Sequence, residues 1–260
     1  MSTENESRRD RYRGALTIAD LTYDQLRAQL HKIARENDLL AQTVNVVAAR
    51  TLKPEESIGN PERKDFPLVK GREVMVEADF AGDKGQAFTD LPGNYSGTLE
   101  DVLALPLADN FERAVFVSSL NAVLRHLGCI DCTVHCKDKE PEACAENIVT
   151  YVRESFGKPR IAFAGLQPAM VDHLARHYEI RVTDMDPDNL NQVRYGVPIE
   201  NVAHNRDMIE WGDVIFATGS TLVNNTYHTV IGDRPLVFYG VTVSGIAYLT
   251  DCLQYCHCGH

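Results

Sequence analysis

Between residues 160 and 240 short apolar runs alternate with helical segments, and this rhythm narrows the possible folds more than any other feature of the chain. The runs are 160–165, 179–184, 213–219 and 234–240, each bracketed by charged or glycine-containing turns. A continuous apolar run of that length is a strand covered on both faces. Strands separated by helices form a parallel sheet. Helices are predicted over 141–156, where Gly157 stops the first, and over 168–178, with a helical turn at 207–211. The second half therefore reads as a Rossmann-like α/β domain, a class of sheet that binds ligands beyond the carboxyl ends of its strands.

The first half has a different pattern. Leu21, Leu26, Leu30 and Ile33 recur at helical spacing within 21–41. Val44 to Ala49 is a predicted strand, and 53–67 is a loop. Apolar and acidic residues alternate from Glu73 to Phe80, the period of a half-buried strand. Residues 81–85 supply a hairpin turn and 86–89 the return strand. Thr98 is placed to cap a short helix ending before Pro106. Asn110 is placed to cap a longer one, 111–127, stopped by Gly128. That helix is apolar nearly all round, so it should be buried, and Asn121 within it must find polar partners. The predicted division is a small α+β domain over 1–130, with 1–15 a flexible tail, and the Rossmann-like domain over 131–260.

The chain has 260 residues and a net charge of −11. An acidic surface argues against non-specific nucleic-acid binding, which needs a basic stripe. No apolar run approaches the roughly 20 residues of a membrane span. The opening residues are polar, so no secretory signal is expected, and the expected setting is cytoplasmic. Self-association as a homo-oligomer is compatible with this composition.

The strand ends carry the candidate binding residues. The first strand leads into Gly165, Gln167 and Pro168, where glycine lets a backbone approach a ligand and a helix offers free amides. The second ends in Asp184, Asp186 and Asn189, placed to hold ribose-like hydroxyls or a cation. The third ends in Thr218, Gly219, Ser220 and Thr221, followed by Asn224. Such hydroxyls and carboxamides suit a carboxylate, a phosphate or a polar metabolite. Gly240 and Thr242 repeat the theme after the fourth strand. A full glycine-rich dinucleotide fingerprint is absent.

The cysteines form two groups: Cys129, Cys132, Cys136 and Cys144, then Cys252, Cys256 and Cys258. Thiolate and imidazole are ligands for zinc or iron. His135, Cys136, Cys144 and Cys256 are the candidate metal set, provided the segment around residue 256 folds back. The spacing matches no standard zinc finger. His135 is also a candidate general acid or base, given the near-neutral pKa of imidazole. Lys137 is a candidate partner for an anionic group, and Asp184 a candidate proton carrier.

Several runs together carry a family resemblance. They are Gly85-Gln86-Ala87-Phe88-Thr89-Asp90, Ser119-Leu120-Asn121-Ala122, His135-Cys136-Lys137-Asp138 with Cys144, Gly165-Leu166-Gln167-Pro168, Thr183-Asp184-Met185-Asp186, Ala217-Thr218-Gly219-Ser220-Thr221 with Asn224, and Phe238-Tyr239-Gly240-Val241-Thr242. With them the chain resembles the heavy-metal-chelation domain family, a prokaryotic group of unknown function. The resemblance implies an N-terminal domain similar to that of enolase joined to a Rossmann-like domain, with a site in the cleft between them. It does not carry enolase chemistry, because the catalytic barrel of enolase is missing. Three readings stay open: an enzyme acting on a polar or metal-chelating metabolite, a non-catalytic metal-binding or delivery protein, and a binder of a nucleotide-type cofactor such as S-adenosylmethionine.

Overall fold

The computed structural model describes residues 11–40, 50–71 and 73–260. The first four strands of its larger sheet in chain order are β4 (Ile161–Ala164), β5 (Ile180–Asp184), β6 (Val193–Arg194) and β7 (Val197–Asn201). They are followed by β8 (Val214–Thr218), β9 (Leu236–Tyr239) and β10 (Leu253–Tyr255). In space the order is β10-β9-β8-β4-β5-β7-β6. Every neighbouring pair is parallel except β6–β7. This is the predicted Rossmann-like α/β sheet. Its central strands have two apolar faces: in β4, Ile161 and Phe163 enter one core and Ala162 and Ala164 the other.

The smaller sheet is an antiparallel meander of β1 (Arg50–Leu52), β2 (Val74–Phe80) and β3 (Asp83–Thr89). The expected strand at 44–49 lies outside the described residues. The β2–β3 loop has two residues, since Phe80 pairs with Asp83. Ala81 and Gly82 both take positive φ, at 53° and 92°, the twist a tight hairpin demands. The return strand therefore starts three residues earlier than predicted.

Helix α1 (Tyr23–Glu36) opens with a capping box between Thr22 and Gln25, and α2 (Leu99–Leu103) is capped by Thr98. Helix α3 (Asn110–His126) is capped by Asp109, whose carboxylate accepts the Glu112 amide at 2.8 Å. The expected cap, Asn110, instead donates to Asp90 at 2.7 Å, because Asp109 already holds the extended backbone that capping needs. Residues Ala114 to Leu124 of α3 are all buried. At Gly85 the β3 backbone touches α3 so closely that a methyl group there would meet Ser118 O at 2.2 Å and Ala122 N at 2.3 Å.

Around the larger sheet lie α4 (Glu140–Phe156), α5 (Pro168–Ala175), α6 (Asn205–Trp211), α7 (Ser220–Val223) and α8 (Ser244–Leu249). Two hydrophobic clusters run through the molecule, and each spans both sheets. One joins Val76, Phe80 and Ala87 to α3 and to Ile215 and Phe238; the other joins Met75 and Phe66 to Ile148, Phe163 and Phe216. Residues 12–16 also dock: Tyr12 is buried, and the Gly14 and Leu16 amides donate to the carbonyls of Tyr248 and Leu249 at 3.0 and 2.8 Å.

Arg63 fastens the 59–66 segment to the helical layer. Its guanidinium meets Asp172 at 2.8 Å, Glu142 at 3.2 Å and Asp65 at 3.5 Å, and lies 5.5 Å above the Tyr195 ring. Methionine would keep the stem and lose the hydrogen bonds. Arg63→Met is expected to lower stability by about 1–3 kcal/mol, read from the midpoint of urea unfolding.

Candidate functional site

A cavity of about 550 Å³ lies at the carboxyl ends of β4, β5, β8 and β9, closed from the other side by the smaller sheet and by segments 58–68 and 135–144. The sequence-predicted residues converge on it. Gly165, Gln167, Asp184, Asp186, Asn189, Thr218, Gly219, Ser220, Thr221, Asn224, Gly240 and Thr242 all line it, as do His135, Cys136, Cys144 and Cys256. Two candidates do not. Pro168 starts α5 and is buried off the wall, and Lys137 is outside the lining, its amide tied to Glu140 at 2.8 Å.

Gly165 has φ of +89°, and a Cβ there would sit 2.6 Å from Thr218 Cγ2. Only glycine lets the β4–α5 loop cross the ends of β8 and β9 at this separation. The loop is then locked: Tyr239 donates its hydroxyl to Gly165 O at 2.8 Å, and Asp184 accepts the Leu166 amide at 2.6 Å. The other oxygen of Asp184 accepts the Asp186 amide at 2.7 Å and the Asn189 side chain at 3.2 Å. Asp184 thus pins two loops as well as facing the cavity. Across it, Thr218 and Ser220 share a hydroxyl hydrogen bond of 2.9 Å, and Thr221 bonds to Thr218 O at 2.8 Å. Thr242 accepts the Phe88 amide at 3.0 Å, which ties β3 to the loop after β9.

Glu73, absent from the sequence-level candidates, also lines the cavity. Its carboxyl is pushed up to about 7, first by burial and then by Asp184, Asp90 and Asp186, against a hydrogen bond from Ser220. The alternating pattern of residues 73–80 assigned its acids to a solvent face, which concealed it. Asp90 was visible only as the end of a motif run. Together the acidic lining groups among the described residues are four, Glu73, Asp90, Asp184 and Asp186, with no lysine or arginine.

His135 does not keep the near-neutral titration expected of a free imidazole. Burial foremost takes it down to about 4, and the ring packs edge-on against Phe88 at 5.5 Å. An imidazole held that low is neutral at physiological pH, the form suited to accepting a proton. Cys136 and Cys144 are pushed up, chiefly by burial. Among the described residues no three His, Cys, Asp or Glu side chains are placed to hold one ion. The candidate metal set shares one end of the cavity without forming a preorganised centre.

The two buried groups oppose each other in pH. Glu73, with its folded pKa above its unfolded value, contributes stability that is full below about 4.5 and is lost as pH rises through about 7. His135, with its folded pKa depressed, contributes stability present above about 6.5 and lost as pH falls through about 4. Glu73→Gln removes the first effect. Relative to the native chain it should gain about 2–3 kcal/mol between pH 5 and pH 8, measured as the difference between two denaturation series. A constant difference across that range would mean that Glu73 is ionised at neutral pH.

A family model described as "Putative heavy-metal chelation" matches residues 147–252, from within α4 to the turn after α8. Among solved structures, a protein of unknown function from the same family in Pyrococcus horikoshii aligns with TM-score 0.43 and 18% identity, covering 66% of this chain and 69% of that one. Another from Desulfitobacterium hafniense DCB-2 aligns with TM-score 0.48 and 10% identity, covering 84% and 78%. A dipicolinate synthase component from Bacillus halodurans gives TM-score 0.34 and 10% identity over 54% and 55%. Curated proteins give no match. No helix among the described residues is long and apolar enough to cross a membrane. Over residues 147–252 the chain is thus similar to the family described as "Putative heavy-metal chelation".

Proposed function

We propose that the cavity binds a small polar metabolite that carries positive charge, either as a protonated amine or as a bound metal cation. The observation that carries this reading is the acidity of the wall: four carboxyl groups and no described lysine or arginine around one space of about 550 Å³. An anionic ligand would gather like charges in a partly desolvated space, where their repulsion is least screened. The hydroxyl loop of Thr218 to Thr221 suits a carboxylate or phosphate by its hydrogen bonding alone. Its neighbours Glu73 and Asp90 remove that preference in favour of a cation. The neutral Thr218, Ser220 and Asn224 then supply directed hydrogen bonds that fix orientation.

The family description supports a link to metal ions, and in this reading the ion arrives as cargo of the ligand. The described donors do not make a resident metal centre. A nucleotide-type ligand such as S-adenosylmethionine has one supporting observation, the acid at the end of β5 beside the Gly165 turn. Both oxygens of Asp184 are already engaged by loop donors, which weighs against a ribose contact.

Thermal shift on the full chain tests this directly. Three probes separate the cases: a diamine, a divalent cation with and without a neutral chelator, and a dicarboxylate. A cationic probe at 100 times its Kd should add about 2.7 kcal/mol of stability. Glu73→Gln should weaken that probe by roughly 10–100-fold, the loss of one charge-assisted contact. Stabilisation by the dicarboxylate alone would overturn the reading. So would stoichiometric zinc or iron in the purified protein that is lost in Cys136→Ser.

A further inference from the structure

The segment after α8 folds back over the loop that follows α3, and it brings two thiols from opposite parts of the chain together. The Thr133 and Val134 amides donate to His260 O at 2.9 and 2.7 Å, and the His260 amide returns a bond to Val134 O at 2.9 Å. Held this way, Cys132 Sγ lies 3.5 Å from Gly259 O and 3.9 Å from Cys256 O. Gly259 is wedged between the two side chains: a Cβ on it would sit 2.6 Å from Cys256 Sγ and 3.3 Å from Cys132 Cβ. The Cys132 thiol donates toward the Gly259 and Cys256 carbonyls, which holds it beside the Cys256 side chain. Both are free cysteines, and both are partly exposed.

We propose that Cys132 and Cys256 form a reactive dithiol that closes to a disulfide by exchange with a small-molecule disulfide. The Cys132 thiolate attacks one sulfur of the small disulfide, forming a mixed disulfide and releasing one thiolate. Cys256 then loses its proton to that thiolate or to solvent and attacks Cys132 Sγ, releasing the second small thiol. Two protein thiols are oxidised and one small disulfide is reduced to two thiols. The order follows from access. Cys132 is the less deeply buried of the two thiols, so a small disulfide in solution reaches it first. In a second pair, Cys144 and Cys258, Cys144 is only 5% exposed, so that pair should react later.

The consequence reaches the ligand site. Cys256 lines the cavity and Cys132 does not. Closing the bond draws Cys256 Sγ toward Cys132 and away from the cavity, so oxidation changes one wall of the site. This inference does not depend on the nature of the ligand, and its test needs none.

The full-length protein is incubated with oxidised glutathione, then alkylated and mapped without reduction. The native chain should lose about 2 Da and give a linked pair of peptides containing Cys132 and Cys256. Cys256→Ser should stop halfway, with a glutathione adduct of about 305 Da retained on Cys132. Cys132→Ser should form neither product at the rate of the native chain. A native chain that stays fully reduced, or that links Cys144 to Cys258 first, overturns the proposal. An adduct found first on Cys256 overturns the assigned order. The native map decides the main point even if a variant folds poorly.

Discussion

Asn121→Leu is expected to lower the unfolding free energy by about 3–5 kcal/mol, although leucine has nearly the same volume. Asn121 is fully buried in the middle of α3. Its Nδ2 donates to Gln86 O at 3.0 Å and to Val241 O and Thr242 O at 3.2 Å each. Its Oδ1 accepts the Gly245 amide at 2.7 Å. One side chain therefore joins β3 of the small sheet to the turn after β9 and to the first turn of α8. Leucine would fill the space and leave those backbone groups facing hydrocarbon. Each unsatisfied buried group costs about 1–3 kcal/mol, and relaxation recovers part of the sum. Asn121→Asp should be worse than leucine at neutral pH, because a carboxylate turns two donor hydrogens into charge aimed at three carbonyls. Urea unfolding with an unchanged m-value checks both. A loss below about 1 kcal/mol for leucine would show that the layers are held elsewhere.

Gly85→Ala should cost about 3 kcal/mol or more for the opposite reason, excess volume in a filled space. The added methyl would meet two backbone atoms of α3, Ser118 O and Ala122 N, at 2.2 and 2.3 Å. A side chain could rotate away; a helix backbone cannot. The sheet and the helix must part, and the packing around Val115, Leu120 and Ala122 loosens with them. The expected fall in Tm is roughly 6–12 °C for a chain of this size. Gly128→Ala is the control. It sits at φ +68° with open space around it, so it pays only for left-handed backbone, about 1 kcal/mol. Equal losses at both positions would mean that close approach is not what constrains residue 85.

The sequence made the sheet legible where the strands are apolar on both sides. β4, β5, β8 and β9 needed no tertiary information, because a run such as Ile161-Ala162-Phe163-Ala164 has no polar face to offer water. β7 and β10 were hidden for the converse reason. Val197–Asn201 contains Pro198 and Glu200, and Leu253–Tyr255 follows a cysteine and an aspartate. Each is a strand because a neighbour supplies its hydrogen bonds. α8 was missed because its start, Ser244-Gly245, reads as a turn. The cavity residues at strand ends were legible from topology, since position in a parallel sheet predicts where side chains converge. Glu73 was not, because its role depends on which sheet faces its strand across the cleft. The depressed pKa of His135 was equally out of reach, being a property of enclosure rather than of residue type. Docking of residues 12–16 on α8 shows the same limit: Tyr12 is surrounded by charge in sequence and by Tyr248 and Glu36 in space.

Because both hydrophobic clusters cross from one sheet to the other, opening the cleft would have to part both cores. A ligand therefore meets a mould that is already cast. Its arrival rate should track diffusion and the pull of the acidic mouth, falling as ionic strength rises. Calorimetry should give a heat-capacity change no larger than the ligand's own buried surface accounts for. The same continuity bears on breakdown. A protease should find no point at which cutting frees a folded half, so digestion should run from intact chain to peptides without a persistent fragment.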